Sequence, residues 1–380
     1  MHIGIFTNTP AHVHLYRECI KIVRASGHDV TVFARDDECA LALLEYHDIP
    51  YRRYGGRDET AIGLIRELPG HAWNIAKIIR DIELDIVLGM GVYSTYAATL
   101  AGADAITVMD SEPTALKQRI SAPLVEAILT PSTFRRYLGR KHYAFHGFKE
   151  TAYLHPEVFT PDMTVRDELG IASDEPYSIV RFNAFNGHHD VGKRGFSFEE
   201  KREIVLRLAE FGTVFISDEA ERMSLDDLPV RRFDAHPARI HDAIAEAQLL
   251  ITDTQTMATE AGLIGTPTIR SNSFVGDKDM GNFHALERAG LIYNLTDVVT
   301  VLETAESLLD NTKTKRKWAE RRTSFLQDKC NLTAVLVEVL LAVADGSPVR
   351  SAVDEHPALY RRTAHDARTI PMTPAPHNAR

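Results

Sequence analysis

Several stretches carry residue types at spacings that suit chemistry, and histidine leads the first of them. Residues 7–14 read Thr-Asn-Thr-Pro-Ala-His-Val-His, which sets His12 and His14 two apart between a short apolar run and a helical pattern. The amides of such a strand-to-helix loop lie at a helix N-terminus, where anions are favoured. Histidine titrates near neutrality, so either ring can act as a general base or donate to a phosphate. His12 sits deeper in the loop and is the better candidate; capping and packing are the plainer roles for the pair. Residues 89–95 form a second such turn, Gly-Met-Gly-Val-Tyr-Ser-Thr, in which Gly91 allows close backbone approach to a ligand. Residues 110–114, Asp-Ser-Glu-Pro-Thr, put Asp110 and Glu112 after an apolar strand. Two carboxylates there suit acid–base work or sugar hydroxyls, or else a helix cap with Pro113 in the first turn.

The second half offers two more. Arg181 ends an apolar run and can pair bidentately with a phosphate, and Asn183 follows it at once. The His188-His189-Asp190 run nearby lacks partners at ligand spacing, and adjacent side chains diverge in extended chain, so no metal site is expected. Residues 252–267 read as strand, hydroxyl-rich turn, helix and Gly-Thr-Pro turn. Here Asp253, Thr254, Thr256 and Met257 surround a helix start that can hold a diphosphate, and Glu260, one turn further on, can reach the ribose diol of the same ligand. A capping role for Thr256 is the alternative. Asp277-Lys278-Asp279 has metal-motif spacing but reads as solvated surface. The basic stretch 134–142, with Arg135, Arg136, Arg140 and Lys141, reads as a solvated helix face, with peripheral contact to an anionic membrane as the second option.

Positioning these loops requires alternating strands and helices. Strand-like runs fall at 3–6, 30–33, 50–54, 86–88, 105–108 and 125–129, with helical patterns at 15–25, 39–46, 62–82 and 93–101. Residues 146–163 break the rhythm and read as an interdomain connection. The alternation resumes with strands at 177–182, 213–217, 249–252 and 267–270. Helices are expected at 199–211, 238–247, 257–264, 286–289, 298–309, 315–328 and 332–344. Such a pattern implies parallel sheets covered on both faces. The expected division is an N-terminal domain at 1–150, a second domain at 165–330, a helix at 331–345 and a disordered, proline-containing tail at 346–380.

Composition sets the limits. The chain has 380 residues, 44% hydrophobic and 25% charged, with a formal charge of −10; this is globular usage and a poor match for non-specific nucleic-acid binding. Cys19, Cys39 and Cys330 are too scattered for a disulfide framework or a cysteine zinc site. Neither a signal peptide nor a membrane span is evident, so a cytoplasmic protein is expected.

The 89–94 turn followed by segment 110–119 resembles the acceptor-side half of the MurG-type N-acetylglucosaminyltransferases. Segment 252–267, with Glu260, Ala261, Gly265 and Pro267, resembles the donor-side signature shared by those enzymes and the UDP-N-acetylglucosamine 2-epimerases. Pro10-Ala11-His12-Val13 and the stretch 149–154 resemble features of an uncharacterised, largely archaeal family of the same GT-B superfamily. The resemblance implies two Rossmann-like domains facing across a cleft, with the C-terminal helix crossing back to the first domain. It implies a nucleotide sugar, UDP-linked, as substrate with no separate cofactor, transferred without metal to an unknown acceptor. His12 would be the base, Glu260 would hold the ribose, and the turn at 254–257 would approach the phosphates; Glu112 is the second catalytic candidate. His14, Gly91, Arg181, Asn183 and Asp253 complete the expected nucleotide-sugar contacts. An epimerase or hydrolase on the same fold, a non-catalytic nucleotide-sugar-binding protein, and a metal-dependent amidohydrolase built on His12-x-His14 are the alternatives.

Overall fold

The computed structural model describes residues 1–55, 61–112, 121–182, 195–218 and 227–369. They divide into two compact units, Met1–Val158 with Asp328–Ile370, and Phe159–Gln327.

In the first unit the chain runs β1 (His2–Thr7), α1 (Pro10–Ala25), β2 (Asp29–Ala34), α2 (Glu38–Tyr46), β3 (Tyr51–Arg53), α3 (Ala61–Asp81), β4 (Ile86–Gly89), α4 (Val92–Ala101) and β5 (Asp104–Val108). It continues through β6 (Ala127–Pro131), β7 (His142–Phe145) and α5 (Thr151–Leu154). Among the described residues the sheet has eight strands, in the order β14 (Leu359–Arg361), β7, β6, β5, β4, β1, β2, β3. All neighbours are parallel except β14, which pairs antiparallel with β7. Strands β4 and β6 are buried at every position, as continuous apolar runs must be when helices cover both faces. Phe6 and Phe33 stack at 4.6 Å in a core that takes in Ile75, Ile79, Val87 and Ala97.

The second unit runs α6 (Val165–Glu168), β8 (Tyr177–Phe182), α7 (Phe198–Leu208), β9 (Thr213–Asp218), β10 (Arg231–Arg232), α8 (Ile240–Glu246), β11 (Leu249–Thr252) and α9 (Thr256–Ile264). It ends with β12 (Thr268–Ser271), α10 (Gly281–Arg288), β13 (Tyr293–Leu295), α11 (Val298–Asp310) and α12 (Thr314–Leu326). Its sheet is parallel throughout, in the order β10, β9, β8, β11, β12, β13. A reciprocal Ser197–Glu200 capping box starts α7, satisfying two amides at once. The chain then returns to the first unit. Asn331 caps α13 (Leu332–Ala344), which packs on α1 and α5, and Thr333 Oγ1 donates to Ala152 O at 2.7 Å.

Several expectations change. The stretch 146–163 is not simply a connection: Thr151–Leu154 is helical and wholly buried in the first unit, which extends to Val158 rather than 150. The tail expected to be disordered from 346 is folded through α14 (Val349–Asp354), β14 and α15 (Ala364–Thr369). Of the two described prolines in this segment, Pro348 immediately precedes a helix, as proline's fixed φ permits, and Pro357 falls between α14 and β14. The stretch 134–142 is not a helix. Phe134 is fully buried, Arg135 and Arg136 bond Glu112, and Lys141 reaches Glu126. Arg135 thus meets the buried Glu112 carboxylate and Arg136 the Glu112 backbone carbonyl, while Arg140 is exposed. The two separate sheets also remove the single eight-stranded barrel that an amidohydrolase site would need. No described helix is long and apolar enough to cross a membrane.

Candidate functional site

Strand order locates the sites. In an open parallel sheet, ligands bind beyond the strand carboxyl ends where successive connections leave in opposite directions. In the first unit that point lies between β1 and β4, and in the second between β8 and β11. The loops after these strands are those the residue types single out.

In the first unit, Asn8 organises the loop after β1. Its side-chain oxygen accepts from Tyr54 Oη, its amide nitrogen reaches Met90 O at 3.5 Å, and its backbone N–H donates to His12 Nδ1 at 3.2 Å. The β1 and β4 loops therefore touch. Gly91 begins α4 at φ +95°, in the left-handed region that favours glycine, and it is exposed. Gly89 is required for space: a Cβ there would lie 2.6 Å from Ser94 Oγ.

His12 is half-buried. Burial and the Lys149 ammonium push its pKa down to about 4 against a raising effect from Asp110. A backbone N–H can only donate, so Nδ1 must carry the lone pair, and the neutral ring holds its proton on Nε2. This departs from the expected base, whose Nε2 would have to be bare. Asp110, buried, gives its carboxylate to Lys149, which also lies 3.5 Å from Glu150 Oε1. Sequence reading passed over Lys149 and Glu150 as chemical groups, because both lie in the stretch taken for a connection. Glu112 is buried as well, its carboxylate accepting the Arg135 backbone N–H at 2.8 Å and Arg135 Nε at 3.4 Å. His14 lies inside: its ring stacks on Tyr153 at 5.4 Å, and Nδ1 is 3.2 Å from Arg17 Nη1. His12 and His14 thus have different surroundings, which leaves the His-x-His pair without the shared focus a metal site needs.

In the second unit, Arg181 near the end of β8 donates to Ser217 Oγ on β9, and its carbonyl accepts from Thr252 Oγ1 at 3.0 Å. Thr252 Oγ1 also accepts the Thr254 N–H at 2.9 Å and lies 2.8 Å from Thr254 Oγ1. Thr254 is buried, so its hydroxyl shapes the turn. Asp253 is buried, and its carbonyl accepts Asn272 Nδ2 at 2.8 Å. Behind Asn272, Arg270 is fully buried and forked onto Asp279 at 2.7 and 3.1 Å, with Phe283 stacked 3.5 Å from its guanidinium. Asp279 is therefore an interior ion-pair partner and not solvated surface. The turn so braced opens α9, whose first residues Thr256 and Met257 are partly exposed and whose start has no side-chain cap. The first-turn amides of such a helix are donors for an anion. Glu260, one turn on, is buried with Oε1 3.1 Å from His241 Nε2 on α8. Asn183 and the His188–Asp190 run lie outside the described residues.

No family model matches this sequence, and no curated protein sequence matches it. Its similarity to solved structures is extensive. A UDP complex of MnaA from S. aureus covers 90% of this chain and 97% of its own, with 10% identity and a TM-score of 0.64. A UDP-GlcNAc 2-epimerase from Neisseria meningitidis bound to UDP-GlcNAc gives a TM-score of 0.63 with 13% identity, over 90% and 100% of the two chains. The glycosyltransferase VinC in complex with DTDP gives 0.60 with 12% identity, over 91% and 100%. The chain has the GT-B fold, two Rossmann-like α/β units in one polypeptide.

Proposed function

We propose that this protein is a nucleotide-sugar-dependent enzyme of the glycosyltransferase class that binds its donor through the second unit. The observation that carries this reading is the uncapped start of α9 at the β8/β11 switch point, braced from behind by Asn272 and the Arg270–Asp279 pair and flanked by Arg181. Backbone amides and a guanidinium there suit a diphosphate without a metal. Thr256 and Met257 flank the phosphates, and Asp253 and Thr254 set the turn. Glu260, drawn inward to His241, meets a ribose from the helix's second turn. Gly91 acts through the shape of its loop, and His14, buried in α1 against Tyr153, through the packing of that helix. The solved structures with this fold include proteins holding UDP, DTDP and UDP-GlcNAc, which supports a UDP- or dTDP-linked donor.

A second reading, epimerisation or hydrolysis of the nucleotide sugar, is favoured by the buried Asp110–Lys149–Glu150 group. Two carboxylates bridged by one ammonium can relay protons, as such chemistry requires. Titration calorimetry with UDP and UDP-GlcNAc tests the shared premise. Arg181→Ala is expected to weaken binding about tenfold, the equivalent of about 1.4 kcal/mol. Wild-type protein that takes up neither ligand would overturn the reading.

A further inference from the structure

The loop after β1 fixes the chemistry open to His12. The Asn8 backbone N–H occupies Nδ1, and Asn8 is itself held by Tyr54 Oη and by the Met90 carbonyl of the neighbouring loop. The ring orientation is thus set by the fold. Asp110, the carboxylate that acts electrostatically on His12, is ion-paired to Lys149. No described carboxylate therefore orients an Nδ1–H, the arrangement that would leave Nε2 bare to receive a proton. Nε2 has no hydrogen-bond partner among the described residues, and the ring is half-buried rather than enclosed. Its surroundings also keep it neutral: burial and Lys149 both oppose the imidazolium, outweighing Asp110.

Resting on the reading that this loop faces substrate, we propose that His12 is a hydrogen-bond donor through Nε2–H and not the base of the reaction. Its partner on the substrate is an electron-rich oxygen, of the carboxylate, phosphoryl or carbonyl kind, rather than a hydroxyl awaiting deprotonation. A neutral donor fixed half-buried in the first turn of α1 can stabilise charge developing on such an oxygen without gaining or losing a proton.

The test uses the full chain labelled with ¹⁵N-histidine, with the His12 signals assigned by their loss in H12Q. Two-bond ¹H–¹⁵N correlations are expected to show His12 protonated at Nε2 and bare at Nδ1, unchanged from pH 8 to pH 5.5. An Nδ1–H tautomer, or a titration midpoint between pH 6 and 8, would overturn the proposal. A second arm measures consumption of UDP-GlcNAc. Glutamine keeps an N–H at similar reach but cannot take a proton, so His12→Gln is expected to retain at least tenfold more turnover than His12→Ala. Equal loss in the two variants would also overturn it. Should wild-type protein leave UDP-GlcNAc unchanged, the nucleotide-sugar reading fails for that donor, and the tautomer alone decides the proposal.

Discussion

His142 shows how far a residue's chemistry depends on its seat. It is fully buried at the start of β7, with Nδ1 accepting the Leu138 N–H at 3.1 Å and Nε2 placed 2.8 Å from Thr130 Oγ1. Burial and then Arg362 push its pKa down to about 3. In the unfolded chain the same ring takes a proton near pH 6.5. Between those values the unfolded state binds more protons, so stability falls as pH drops from about 6.5 toward 3 and is whole above that window. His12 adds a similar loss down to about pH 4. Urea unfolding at pH 7, 6 and 5 is expected to show a slope that His142→Gln reduces by about 1 kcal/mol per pH unit. An unchanged slope in that variant would contradict the account. At this scale the sequence was readable for type and not for partner. The choice of His12 and Arg181 rests on their nearness to a strand end; the fold puts His12 in the first turn of α1 and Arg181 within β8, one residue from its end. The tautomer of His12, the pairing of Asp110 with Lys149 and the burial of Asp279 depend on residues distant in sequence, and no local pattern carries them.

The elements themselves were more legible. Strand β11 and helix α13 fall where periodicity puts them, because a continuous apolar run between turn residues leaves little choice. Strands β7, β10 and β13 escaped: β7 begins in the basic stretch read as a helix face, β10 is two arginines, and β13 is a three-residue Tyr-Asn-Leu run with a polar centre. The segment after Ala344 escaped because its prolines and charges look like a tail. Its fold has a purpose in the first unit. β14 covers the open edge of β7, and Arg362 donates to Ser132 O at 2.9 Å and Phe134 O at 2.7 Å. That turn leads to Arg135 and Arg136, which hold Glu112. Arg362→Ala is accordingly expected to raise hydrogen exchange in peptides spanning 130–138 and leave 249–264 unaffected. Equal exchange in wild type and variant across 130–138 would show that the C-terminal segment does not brace this turn. An uncovered β7 is also an edge open to pairing with another chain, so a chain ending at Asp345 is expected to self-associate at concentrations where the full chain does not.

For the molecule as a whole, the net charge of −10 sets a background against which a diphosphate site must be local, and the second unit concentrates its amides and Arg181 at one switch point. Likeness in fold extends over about nine tenths of the chain, while identity is so low that neither donor nor acceptor is written in it. The most direct test is hydrogen exchange on the full chain with and without UDP. At a UDP concentration one hundred times its Kd, the account predicts about 2.7 kcal/mol of added stability. Protection should centre on the Asp253–Glu260 turn and helix start, with peptides at 142–145 unchanged. Millimolar UDP that neither stabilises the protein nor protects that turn would contradict the central claim.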